Sequence, residues 1–304
     1  MHDKSLFLCN RMNVLIGFVI IMLCAPTISS AQTYTIDTSN NISRSRGDDL
    51  SPAWSADGKK LLYQSNRNGN WDIFIYDTLL DSTVQLTYDT IDEQNPGWYP
   101  ESDLIYFDAG AGEECYLYKL NPDTGVSVPL FNRKISCRNA SFTSAGRMMY
   151  FLGYNKRTEK WNLYSYHFIY DNLNQLTKNG QDILFFDLSP DAKKVLYGYE
   201  TYPYPYKRLR IMNWYGEKGE VLDTYNITAA SWHPGGLKIY FVSDKDKLNG
   251  EMYSTWKDKT HLHQLTDDNW KIRDFAIAPD GRTIAGSVLL DGNYEIIIIS
   301  PELF

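Results

Sequence analysis

The sequence predicts an all-β protein: a six-bladed β-propeller with four antiparallel strands per blade, its last blade closed by the N-terminal strand. Three observations carry that expectation. A motif occurs six times at nearly constant spacing, alternating apolar and polar runs are bounded by Asp, Asn and Gly, and aromatics reach 14% of the 304 residues.

The motif is clearest in "WSADGKKLLYQS" at Trp54. It returns as "WYPESDLIYFDA" at Trp98, "FTSAGRMMYFLG" at Phe142, "LSPDAKKVLYGY" at Leu188, "WHPGGLKIYFVS" at Trp232 and "IAPDGRTIAGSV" at Ile277, with anchors 44, 44, 46, 44 and 45 residues apart. Seven positions after each anchor stands Leu61, Ile105, Met149, Val195, Ile239 or Ile284, a core position in every copy. A third strand follows in each unit, as in "WDIFIYD" and "YEIIIIS", and a fourth ends in Leu86, Leu130, Leu176, Leu222 or Leu265. Four short strands in about 44 residues is the spacing of a propeller blade. The sixth unit stops after its third strand at Phe304, and Ile42 lies twelve residues before Trp54, where the Leu of other units sits. The segment "TYTIDTSNNIS" is therefore expected to complete the sixth blade and remove an open sheet edge.

On these residues, the unit "SPAWSADGKKLLYQSNRNGNWDIFIYD…VQLT" resembles the TolB-type, WD-like propeller repeat, and the likeness runs from Ile36 to Phe304. The resemblance implies a standalone disc whose faces bind proteins and, in some relatives, carbohydrate. It does not imply a ligand, because one fold hosts many functions.

Lys4 and Arg11 precede the apolar run Val14–Cys24, followed by small residues at Ser29 and Ala31. This order reads as a signal peptide over 1–31, cleaved after Ala31, leaving a propeller domain over 32–304 with no transmembrane segment. The eleven apolar residues fall short of a bilayer span. The expected location is the periplasm or the medium. Formal net charge is −7 with both signs interspersed, which excludes a basic face for nucleic acid. Cys9 and Cys24 leave with the signal, so Cys115 and Cys137 are the candidate disulfide of an oxidising compartment.

The residues carry little catalytic grammar. The chain has no GxSxG elbow, and its five His are scattered. His261 and His263 in "HLHQLT" would share a strand face, but no third ligand stands near them in sequence, so no metal and no cofactor are expected. The turns "SNRNGNWD" and "SDKDKLNGE" lack the acid alternation of a calcium loop and read as hairpin connections.

Two candidate binding sets remain. Six residues before the anchors stand Asp48, Asp92, Ser136, Asp182, Asn226 and Lys271; the acids Asp48, Asp92 and Asp182 would ring a channel mouth, or each would cap its own loop. Strand parity puts the second-to-third-strand loops and the interblade loops on one face. There, "YETYPYPYKR" and "DDNWKIRD" offer Tyr202, Tyr204, Tyr206, Arg208, Trp270 and Arg273 as contact residues. The leading expectation is a non-enzymatic exported propeller that binds a protein or cell-envelope component through this loop-rich face. The alternative is a carbohydrate-binding protein or a polysaccharide lyase-like enzyme using the aromatic loop and the channel acids.

Overall fold

The computed structural model describes residues 34–130, 135–178, 180–201, 203, 206–216, 219–223, 226–244, 250–266 and 270–301. Among them are six four-stranded antiparallel sheets and one short 3-10 turn, Thr38–Asn40. Blade 1 comprises Asp49–Trp54, Lys60–Ser65, Asp72–Asp77 and Ser82–Gln85, and blade 2 comprises Glu93–Trp98, Ile105–Ala111, Glu114–Asn121 and Val126–Pro129. Blade 3 comprises Cys137–Phe142, Met148–Asn155, Lys160–His167 and Asn172–Gln175; blade 4 comprises Asp182–Leu188, Lys194–Glu200, Lys207–Asn213 and Glu220–Asp223. Blade 5 comprises Ile227–Trp232, Lys238–Ser243, Glu251–Trp256 and His263–Gln264, and blade 6 comprises Ile272–Ile277, Ile284–Leu290 and Asn293–Pro301 with Tyr34–Thr35 as its outer strand.

The repeat grammar has a physical reading at each position. Leu61, Ile105, Met149, Val195, Ile239 and Ile284 are completely buried. They anchor hydrophobic clusters that each span two neighbouring blades, so the core is a ring of interblade seams. The aromatic excess is placed by cross-strand register. Tyr63 stacks on Phe74, Phe107 on Tyr118, Phe151 on Tyr164 and Phe241 on Tyr253, with ring centroids at 5.7, 5.8, 5.7 and 5.6 Å.

The recurrent "QLT" is a three-part clasp. Its Leu N–H pairs with the third strand: Leu86 with Ile73 O, Leu176 with Leu163 O and Leu265 with Met252 O, each at 2.8 Å. The Thr hydroxyl accepts the N–H of that same third-strand residue, at 2.9 Å for Thr87 and Thr177 and 3.0 Å for Thr266. The Gln amide closes on the Thr carbonyl at 2.7–2.8 Å. In blade 6 two parts of the clasp come from the N-terminal segment. Ile42 N donates to Ile296 O and Ser43 Oγ accepts from Ile296 N, both at 2.9 Å, which meets the expected closure.

Candidate functional site

The acids expected around a channel mouth do a different job. Asp48 Oδ1 accepts from Tyr294 N at 2.9 Å, Asp92 Oδ1 from Trp71 N at 3.0 Å and Asp182 Oδ1 from Trp161 N at 2.8 Å. Ser136 Oγ and Asn226 Oδ1 accept equivalently from Cys115 N and Lys207 N at 3.2 and 3.4 Å. Each caps the entry of the preceding blade's third strand. The cap thus falls on the neighbouring blade and not on the residue's own loop.

The channel is lined by other residues. Its cavity, about 330 Å³, is bounded by Ser51, Asn95, Asn139, Tyr106, Asp187 and Ser231 among others, and by none of Asp48, Asp92 and Asp182. Each innermost strand carries a register shift there, and Ser51, Asn95 and Asn139 adopt φ of 55°, 51° and 50°. Buried polar groups of neighbouring strands satisfy the freed amides: Gln64 accepts from Asn95 N at 2.8 Å, and Asp108 from Asn139 N at 3.3 Å. Asp274 likewise takes Ser51 N at 3.2 Å and the Ser287 hydroxyl, and Asp187 takes Trp232 N at 2.8 Å. Burial raises all three carboxyls, Asp108 to about 7, against the pull of its Asn95 and Asn139 partners. The Tyr106 ring lies directly on Gly97, where a Cβ would sit 2.2 Å from it.

On the loop-rich face, Tyr202 and Tyr204 lie outside the described residues. Tyr206 is exposed, Arg208 is half-buried in the third strand of blade 4, and Trp270 packs against the seam of blades 5 and 6. The Arg273 guanidinium stands 5.6 Å over the Tyr294 ring. Trp270 and Arg273 are thus engaged with the propeller itself.

The expected disulfide is not made. Cys115 and Cys137 are buried free thiols: Cys115 Sγ donates to Asp108 at 3.6 Å, and Cys137 is buried in the seam of blades 2 and 3 with Leu117 and Met149. Burial pushes both thiols up, Cys137 to about 12. The histidine pair also separates: only His263 is in a strand, while His261 has φ of 56° and its Nδ1 lies 2.8 Å from Thr260 Oγ1. No cluster suited to a metal ion occurs among the described residues.

The feature that sequence reading missed lies on the opposite face, formed by the turns between first and second and between third and fourth strands. Trp214, Tyr215, Leu237 and Leu262 belong to these turns in blades 4 and 5, Trp256 ends the third strand of blade 5, and all five are between 38% and 50% exposed. Trp214 and Tyr215 meet edge to face at 5.3 Å. Between the two blades opens a groove of about 310 Å³, with Ile211, Met212, Leu222 and Trp232 among its lining residues and none of the five exposed side chains among them. Its polar lining is Lys194, Lys257, Lys259, Asn213 and Glu220. Lys259 reaches Glu220 across the blades at 3.3 Å, and Lys194 Nζ donates to Asn213 Oδ1 at 2.6 Å. The sequence signal was "NWYG" and "TWKDKT", aromatics at the ends of alternating strands, where they read as strand residues.

Comparison with known proteins adds the family. TolB from Acinetobacter baumannii is 19% identical with a TM-score of 0.62, covering 75% of this chain and 56% of its own, so this chain spans little more than half of that protein. A putative TolB from Agrobacterium tumefaciens is 15% identical, TM-score 0.63, over 86% of this chain and 93% of its own. An oligogalacturonate lyase from Vibrio parahaemolyticus is 10% identical, TM-score 0.61, over 89% and 96%. At such identities the likeness is one of fold. Comparison with curated proteins gives no match. The TolB β-propeller domain (PD40) model matches residues 24–229, more than half of the sequence, and with six blades of the expected register around it, the chain belongs to the TolB β-propeller family.

Proposed function

We propose that this chain is an exported, non-catalytic binding propeller whose turn face at blades 4 and 5 docks a partner protein. The observation that carries the reading is five exposed large apolar side chains on one turn face of blades 4 and 5, with Trp214 and Trp256 next in sequence to the groove residues Asn213 and Lys257. Exposed aromatic and aliphatic groups beside a concavity are the composition of docking sites, where Trp and Tyr give large contact area at low entropic cost. The loop-rich face, with Tyr206 and the interblade residue Tyr88 exposed, is the competing surface. Export is supported by the charged, apolar and small-residue order of the N-terminus, with Gln32 as the first mature residue.

Photo-crosslinking in the producing cell separates the two faces. A benzophenone amino acid at Tyr215 is expected to trap a discrete protein adduct in the envelope or secreted fraction, on a chain whose N-terminus maps to Gln32. Adducts from Tyr206 but not Tyr215 would move docking to the loop-rich face. Adducts from neither site, with selective retention on a glycan array, would replace protein docking by carbohydrate binding.

A further inference from the structure

We propose that the groove between blades 4 and 5 is a pocket for a carboxylate borne on a short apolar body, the chemistry presented by an apolar C-terminal residue of a partner polypeptide. The partner rests on the docking reading above, while the pocket's chemistry stands on its own lining. The volume, about 310 Å³, is at the small end of ligand sites and suits a single residue. Ile211, Met212, Leu222 and Trp232 supply an apolar surface, and three lysines against one glutamate leave the site at +2 in a chain of net charge −7. That excess favours an anion over a neutral or cationic guest.

The lysines are held for the task to different degrees. Lys194 is fixed by Asn213, and Lys257 makes no ion pair among the described residues. Lys259 is tied to Glu220 by an exposed pair, a contact weak enough to yield to an incoming carboxylate. An Asp or Glu side chain would bring its charge with one or two methylenes and leave the apolar lining unmatched. A C-terminal Leu, Met or Phe brings carboxylate and apolar group together within one residue.

Trp232 sets this seam apart from the two others anchored by tryptophan. The anchor indoles Trp54 and Trp98 donate to Ala276 O and Ala53 O of the preceding blade at 3.3 and 3.0 Å. Trp232 Nε1 is buried without a partner, so the bond that draws those two indoles onto their neighbours is not made where the groove opens.

The test uses the full propeller with ¹³C-methyl methionine, reading Met212 in the groove and Met252 in the blade 5 and 6 core. N-acetyl-L-leucine is expected to shift Met212 saturably while leaving Met252 in place. N-acetyl-L-leucinamide should bind at least ~10-fold more weakly, as should the carboxylate on the exposed-site variant Lys257→Glu or in high salt. Equal shifts by acid and amide, or an unmoved Met212, would overturn the pocket assignment. A Tyr215 adduct alongside an unmoved Met212 overturns the pocket and keeps the docking face; a selective Met212 shift without any adduct supports the pocket and removes the partner.

Discussion

Glu93 is a buried carboxyl whose environment makes stability depend on pH. It stands at the start of the second blade's first strand, buried, with Oε2 lacking a hydrogen-bond partner, and burial raises its carboxyl to about 7 despite the Thr87 hydroxyl. Between the ordinary carboxylate range and about 7 the folded chain therefore holds more protons than the unfolded one, and stability falls as pH rises through that window. Glu93→Gln is expected to flatten the dependence and to stabilise the protein at pH 8 by about 1–3 kcal/mol, read from urea midpoints at pH 5 and pH 8. Asp108, raised to about 7 by its own burial, keeps part of the slope in that variant.

At the scale of the element, the third-strand cap is the device to test. Asp92→Ala removes the acceptor of Trp71 N and should cost about 1–2 kcal/mol, with faster hydrogen exchange at the Trp71 amide and unchanged exchange at Trp161, which Asp182 still caps. If Asp92 served a ligand instead, its loss would leave the Trp71 amide untouched. The strands were legible in the sequence because anchor, turn and core positions lie within one unit. The cap was legible only as a spacing: Asp92 sits 21 residues after the amide it serves, on the next blade, so register and not local pattern pairs them. Likewise the Leu-Thr signature marked the fourth strand, but its clasp became visible only once the third strand lay beside it.

For the whole molecule, six copies specified six blades and also predicted which segment finishes the sixth. The docking surface was less legible. Repeats announce what the copies share, whereas Trp214, Tyr215 and Trp256 are departures placed at or beside turns whose neighbours fall on different blades. Deleting residues 34–43 should cost on the order of 5 kcal/mol, since it strips Tyr34 and Ile36 from the core and leaves Ile296 and Glu295 without the Ile42 and Ser43 clasp. Size exclusion would then show self-association through the uncovered edge, where the intact chain elutes as one species.

The clasp also has a consequence in time. Ser43 meets Glu295 across 252 residues, so this segment finds its partner only after the five blades between them in sequence have been made. Five blades can assemble in sequence, but completion of the circle is a terminal event. Until then the early segment stays accessible to chaperones and proteases, and a chain cut short anywhere before Ile296 leaves a visibly unfinished product.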